Sequence, residues 1–330
     1  AGISGWEIRS RNVVEPGVVW GPGQIMDDGC LGARACLDAV KPAWDAAVAA
    51  GNPVGMGLGL KNSGLGNGAN EVSRSTVRFD PDGTIEVRHC WTEMGQGIHT
   101  VARQVAVEEL GVEPDRIKVV VDTTRELGAG QTTGSRGTVM GAGSVADACR
   151  NAMAGGCEEG VEYEGVYVVD WTNSINDGLE NPVIHSTFGY AAQLVELDSE
   201  TGEIAKVVAA HDVGRAVNPL LCEGQIEGAV HMGLGYALTE GFPCDEHGKP
   251  LNETLRSLDI IRPKDMPPTQ VILVESPDPN SPYGIKGVGE IGLVPTAGAV
   301  AAALHAHDDE WRHELPMRTE RNRERASAWS

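Results

Sequence analysis

Apolar and polar positions alternate along this chain in two rhythms, and the change from one to the other marks its elements. Residues 75–79 and 84–89 alternate around Asp80-Pro81-Asp82-Gly83, which predicts a β-hairpin. A second hairpin is predicted over 191–197 and 204–212, turning through Asp198-Ser199-Glu200-Thr201-Gly202. Helical periodicity follows each hairpin, over 101–110 after the first and about 219–237 after the second. Helices are also predicted over 3–12, ended by Asn12 and Pro16-Gly17, and over about 28–50, with Leu31, Cys36, Leu37 and Val40 on one face. Two more fall at 141–153, with Val145, Cys149 and Met153 on one stripe, and at the alanine-rich 295–307. Single strands are predicted at 117–122, 166–169 and 271–274. Residues 53–60 alternate glycine with apolar side chains, the pattern of a strand closely approached by another backbone.

Hairpins followed by helices point to an α+β fold rather than a doubly wound parallel sheet. The unit strand–turn–strand–helix occurs at about 75–110 and again at about 191–237. We therefore expect two related lobes of antiparallel or mixed sheet with packed helices, a first lobe over 1–165 and a second over 166–330.

Composition changes this picture only in part. The 330 residues suffice for a sizeable core. The net charge of -21 disfavours nucleic acid and anionic membranes as partners. No apolar run is long enough to cross a membrane. The cysteines, 7 in all, form no CxxC and match no zinc or iron–sulfur spacing, so they read as reduced, mostly buried thiols of a cytoplasmic protein. The 43 glycines exceed the usual share and imply much tight backbone, spread along the chain without a period.

Glu93-Met94-Gly95-Gln96-Gly97-Ile98-His99-Thr100 joins the first hairpin to its helix. Gly95 and Gly97 let backbone N–H groups point outward, Gln96 offers a donor and an acceptor, and Thr100 can cap the helix. His99 reads as a structural histidine. A second joint, Gly128 to Thr138, combines glycines, hydroxyls and Arg136 before the next helix, in a spacing that is neither a Walker loop nor a dinucleotide GxGxxG. The third, His211 to Pro219, ends with Asn218 as N-cap and Pro219 at the first helical position, and Gln225, Glu227 and His231 follow on the helix. The last stretch, Gly284-Ile285-Lys286-Gly287-Val288-Gly289-Glu290-Ile291-Gly292, surrounds one carboxylate with glycines. Read locally it is either a turn with a helix-starting carboxylate or a loop presenting a general base. Four such joints in one chain suggest loops converging on one large polar cofactor.

Together MGQGIHT (94–100), GQTTGSRGT (130–138), DVGRAVNP (212–219), GQIEGAVHMGLGYAL (224–238) and GIKGVGE (284–290) resemble the xanthine dehydrogenase/aldehyde oxidase family of molybdenum hydroxylases. The resemblance runs nearly the full length, in order, to the C-terminal molybdopterin-binding domain of the family's large subunit, in its xanthine dehydrogenase-like branch. It implies a pterin that carries molybdenum through a dithiolene, often as molybdopterin cytosine dinucleotide, with no protein side chain on the metal. The cofactor-binding positions it implies are Gly95, Gln96 and Gly97; Gln131, Thr132, Thr133, Gly134, Ser135, Arg136, Gly137 and Thr138; Gln225; and Lys286, Gly287, Val288 and Gly289. It makes Glu290 the catalytic base, which takes a proton as a water-derived oxygen attacks an electron-poor carbon.

The implied activity is hydroxylation of a purine or another N-heteroaromatic ring. The alternatives are oxidation of an aldehyde on the same site, or a non-catalytic fragment that only binds its partner. The family's first molybdenum-binding domain, its iron–sulfur modules and its FAD module have no counterpart in the motifs above. The chain is expected to need them from partner domains or subunits. Glu290 is expected to be desolvated and close to the other three loops.

Overall fold

The alternation at 75–89 and 191–212 folds as predicted, and each hairpin seeds a four-stranded sheet. In the computed structural model the described residues are 2–317 apart from 22, 122, 123, 126, 129, 130 and 253. Along the chain they form α1 (Gly5–Asn12), β1 (Val19–Trp20), β2 (Gln24–Ile25), α2 (Leu31–Ala50), β3 (Val54–Ser63), β4 (Glu71–Phe79), β5 (Ile85–His89), α3 (Ile98–Leu110), β6 (Ile117–Val120) and α4 (Gly137–Ala154). There follow β7 (Glu162–Val169), β8 (Thr187–Leu197), β9 (Ile204–Asp212), α5 (Pro219–Leu238), β10 (Thr269–Val274) and α6 (Thr296–Asp308).

The sheets run β6-β5-β4-β7 and β10-β9-β8-β3. Their wiring is the same. An antiparallel hairpin, β4–β5 or β8–β9, is followed by a helix and then by a strand parallel to the hairpin's second arm, β6 on β5 and β10 on β9. The fourth strand lies antiparallel to the first arm, β7 on β4 and β3 on β8. The lobes are thus related, as expected, but they do not follow the division 1–165 and 166–330. That boundary cuts through β7, which pairs with β4 along its length, and β3 belongs to the sheet of β8–β10. The second sheet takes its fourth strand from the N-terminal side, so the first lobe is inserted between β3 and β8.

The two sheets are buried differently. In the first, Val77, Ile85 and Val87 face α3 and α4. The other face carries Arg74–Glu164 and Arg78–Glu86 ion pairs, the alternation of a half-buried antiparallel sheet. The second sheet is covered on both faces. Leu194 and Val208 pack under α2, while Val195 and Val207 pack under α5 and α6. This is why β8 is buried at every position but Glu196. The glycines of β3 let α6 lie directly on the strand: a Cβ at Gly55 or Gly57 would overlap α6 or the Pro295 carbonyl before it. Cys36, Leu37 and Val40 are buried as predicted, and so are Val145 and Cys149. Leu31 and Met153 are exposed instead. They stand in the first and last turns of α2 and α4, where a helix runs past the sheet it covers.

Candidate active site

Three helix N-termini and the loop after β10 meet at a cleft of about 330 Å³ between the lobes. Ile98 stands at the start of α3, Gly137 and Thr138 at the start of α4, and Asn218 and Leu221 at the start of α5. Ile285, Lys286, Val288, Gly289 and Glu290 close the fourth side. A helix N-terminus exposes unpaired N–H groups and favours anions. Among the described residues no side chain caps α4, whereas Asn218 Oδ1 accepts from Leu221 N at 3.1 Å and Pro219 opens α5, as the sequence predicts.

Glu290 sits at the edge of this cleft. Its Oε2 accepts from Ser135 Oγ at 2.7 Å and pairs with Lys61 Nζ at 3.0 Å. Its backbone N–H donates to the same Ser135 Oγ at 3.0 Å. Oε1 accepts no hydrogen bond among the described residues. Ser135 is held at φ +53°, a left-handed conformation that is costly for a side chain with a Cβ and clusters at functional sites. Gly287 makes the approach possible, since a Cβ there would overlap the Ser135 carbonyl oxygen. Glu290 is therefore close to the other loops. Its side chain is 50% exposed, so the desolvation expected of it is not supplied by this chain.

The predicted residues divide into those on the cleft and those that support it. Gln96, Thr132, Thr133, Gly134, Ser135, Arg136, Gly137, Thr138, Gln225, Lys286, Val288, Gly289 and Glu290 line it. Gly95, Gly97, Gln131 and Gly287 are not among the lining residues. The amides expected to point outward from Gly95 and Gly97 are occupied. Glu93 Oε1 accepts from both, at 2.8 and 2.9 Å, and Oε2 accepts from His99 N at 3.2 Å. Glu93, not Thr100, satisfies the start of α3, and Thr100 lies inside the helix. Gln96 is partly committed, accepting from Met94 N at 2.6 Å and donating to the Thr92 carbonyl at 2.7 Å. His99 is structural in its contacts: Nδ1 lies 2.9 Å from Nε2 of His89, whose own pKa is brought down to about 4 by burial and the neighbouring ring.

Two cations have work inside the protein. Arg136 is buried against Glu71 at 2.8 Å and hydrogen-bonds the Gln131 carbonyl at 2.8 Å, which holds the 131–136 loop in shape. Lys286 is fully buried; its ammonium pairs with Asp212 and donates to the Gly29 carbonyl at 2.7 Å. Burial pushes the Asp212 carboxyl up and the Lys286 ammonium pulls it back. Gly130, part of the second motif, lies outside the described residues.

Sequence reasoning missed Lys61 and the cleft role of Arg215. Lys61 lies near the end of β3, and only the sheet brings it to Glu290. Arg215 lines the cleft with an exposed guanidinium that has no carboxylate partner among the described residues. Ile98, Val101, Val217 and Leu221 supply an apolar wall.

The chain matches the molybdopterin cofactor-binding domain family over residues 35–158 and again over 153–267. It is 29% identical over 301 residues to the gamma subunit of the 6-hydroxypseudooxynicotine dehydrogenase complex of Paenarthrobacter nicotinovorans, covering 77% of this chain and 37% of that protein. It is 28% identical over 304 residues to a probable xanthine dehydrogenase subunit of Bacillus subtilis (strain 168), covering 81% of this chain and 41% of that one. The fold superposes on the aldehyde oxidoreductase from Desulfovibrio gigas with a TM-score of 0.85 at 24% identity, covering 99% of this chain and 39% of that chain. The chain thus spans about two fifths of the length of these relatives. Among its described residues no helix is long and apolar enough to cross a membrane. A double family match across most of the chain, on a fold whose loops gather at one cleft, leads to one conclusion: the chain belongs to the molybdopterin cofactor-binding domain family, in the company of xanthine dehydrogenases and aldehyde oxidoreductases.

Proposed function

We propose that this chain forms the cofactor-holding, proton-accepting wall of the catalytic subunit of a molybdenum hydroxylase, an oxidoreductase acting on a purine or other N-heteroaromatic carbon. The observation that carries the reading is the Glu290 carboxylate, fixed at the cleft edge by Ser135 and Lys61, with Oε1 accepting no hydrogen bond among the described residues. The donor set fits a phosphate-bearing pterin: an N-terminus at α4 without a side-chain cap among the described residues, the hydroxyls of Thr132, Thr133 and Thr138, and the Arg215 guanidinium. Gln96 and Gln225 would hold the pterin edge, and Gly134, Val288 and Gly289 would let backbone approach it.

When bound, molybdopterin would supply a two-electron acceptor and a means of activating a water-derived oxygen toward an electron-poor carbon. Within this chain, Glu290 Oε1 takes the proton that the attacking oxygen gives up. Ser135 and Lys61 hold Oε2, so the carboxylate keeps one orientation while Oε1 changes its protonation. The apolar wall around Ile98 and Val101 limits water on the α3 side. Another domain or chain would cover the exposed side of Glu290 and complete its desolvation. We assign the remaining machinery, iron–sulfur clusters and FAD, to partner subunits, the pterin to the cytosine dinucleotide form, and the assembly to the cytoplasm.

The N-heteroaromatic reading is supported by the names of the two relatives, which act in 6-hydroxypseudooxynicotine and xanthine chemistry. Replacing Glu290 with Gln in the assembled enzyme is expected to lower kcat by on the order of 10²–10⁴ with molybdenum content unchanged. Near-normal turnover by that variant would remove Glu290 from the role. Hypoxanthine, nicotinate and benzaldehyde assayed in parallel identify the substrate class, and turnover of benzaldehyde alone would replace the heteroaromatic reading with aldehyde oxidation.

A further inference from the structure

A second cavity, of about 160 Å³, lies on the lobe of the second sheet, beside β8. Its floor is Tyr190, Phe188 and Asp278, and its mouth carries Asp27, Trp171 and Ile25. Lys286 links it to the first cleft: that residue lines the first cleft, and its ammonium reaches the carbonyl of Gly29, which lines the second.

Two features of the floor are unsatisfied. Tyr190 is 1% exposed, and its buried Oη has no hydrogen-bond partner among the described residues. Asp278 is 4% exposed; Oδ1 accepts from Asn280 N at 2.8 Å, while Oδ2 accepts nothing among the described residues. The local charge is also unbalanced. Asp27 and Asp212 both act on Asp278, and the cation acting on it among the described residues, Lys286, is already paired with Asp212. The remaining ionisable neighbours do not correct this. Cys30 is pushed up to about 11, mainly by burial, burial raises Tyr190 further still, and burial lowers His185, so all three stay neutral. A buried carboxylate without a counter-charge is costly and is relieved by a proton or by a cation. The walls favour the cation, because Trp171 and Phe188 offer aromatic surface beside the carboxylates. The volume lies below the usual range for whole-ligand pockets and suits a single headgroup.

We propose that this cavity receives one organic cation, an alkylammonium or guanidinium group, held by Asp278 and Asp27, by the Tyr190 oxygen and by the Trp171 ring. The group belongs either to a small molecule or to a lysine or arginine side chain of a neighbouring polypeptide. The site is separate from the role given to Glu290.

The test is calorimetric titration of the assembled protein with methylguanidinium and butylammonium, against the neutral analogue methylurea. A free small cation as the occupant predicts saturable binding of at least one of the two, at least tenfold tighter than methylurea. Asp278→Asn and Tyr190→Phe each weaken it about tenfold, without loss of molybdenum. Binding also falls as pH drops through about 6, where Asp278 takes a proton; the charged and titratable groups facing it are Asp27, Asp212, Lys286, Tyr190 and Tyr167. A neighbouring side chain as the occupant predicts no probe binding to the assembly. An experimental structure of the assembly then holds a lysine or arginine nitrogen within hydrogen-bond distance of Asp278. The proposal is overturned if no probe binds and that structure holds only water or an apolar group there. It is equally overturned if probe binding is unchanged in Asp278→Asn. Because the readout is binding and not turnover, these outcomes leave the assignment of Glu290 untouched.

Discussion

Two ion pairs leave the same loop four residues apart and have opposite surroundings. Lys286 and Asp212 are both 0% exposed, whereas Glu290 is 50% exposed and its partner Lys61 22%. The first pair joins the loop to the end of β9 and, through Gly29, to the segment before α2. Desolvation makes such a pair expensive to break, since the surviving charge stays buried. The second is screened by water and contributes little to stability. The loop is thus pinned at one end while the other presents a half-exposed carboxylate, of which Oε1 accepts no hydrogen bond among the described residues. Stability is concentrated at Lys286, and the chemistry we propose is placed at Glu290.

Substitutions that test this contrast should differ most in their cost to folding. Lys286→Met strands Asp212 and is expected to lose about 3–5 kcal/mol in denaturant unfolding. Adding Asp212→Leu should recover part of that loss, and no recovery would mean that Lys286 acts through packing alone. Asp278, next to this pair, is raised from 3.8 to about 6, chiefly by burial, with Asn280 N–H and Lys286 opposing it and Asp27 and Asp212 adding to it. The folded protein therefore holds a proton that the unfolded chain releases first. Stability from this group is full below about pH 4 and lost as pH rises through about 6, an effect of about 3 kcal/mol. Asp278→Asn should flatten that slope in unfolding curves measured from acid to neutral pH. Gly287→Ala drives a Cβ into the Ser135 carbonyl and should cost about 1–3 kcal/mol while displacing Ser135 from Glu290, so thermal stability and turnover fall together. Lys61→Met sits at the opposite end of the scale. It should change stability by less than about 1 kcal/mol yet lower turnover by on the order of tenfold, by loosening Glu290. A large stability loss at Lys61 would dissolve the contrast.

Much of the scaffold was legible because its signals are local. The turn Asp80-Pro81-Asp82-Gly83, the cap Asn218-Pro219 and the alternating glycines of 53–60 each act within a few residues, and each formed the element it predicted. The fate of charged side chains was not local. Arg136 reads as a ligand-gripping residue in a polar loop, but Glu71 lies 65 positions away in the chain and 2.8 Å away in space. Glu93 reads as the residue before a motif, yet its carboxylate takes the very amides that the glycines seemed to free. The helix-end residues Leu31 and Met153 fit the apolar stripe and still face water, because periodicity gives direction around a helix and not how far along it the neighbouring sheet extends.

The sequence by itself determined the α+β alternation, the two hairpin-based lobes, the glycine joints and the motifs whose order marks the family. Backbone geometry and side-chain periodicity are short-range, and a motif is a string. Only the tertiary structure decided that β3 crosses to the second sheet, that Lys61 reaches Glu290, and that Lys286 turns inward to Asp212 while Glu290 stays at the cleft. Those outcomes depend on which distant charges share a buried volume. Desolvation then separates a cation that must be paired from a carboxylate left half-exposed at the cleft edge.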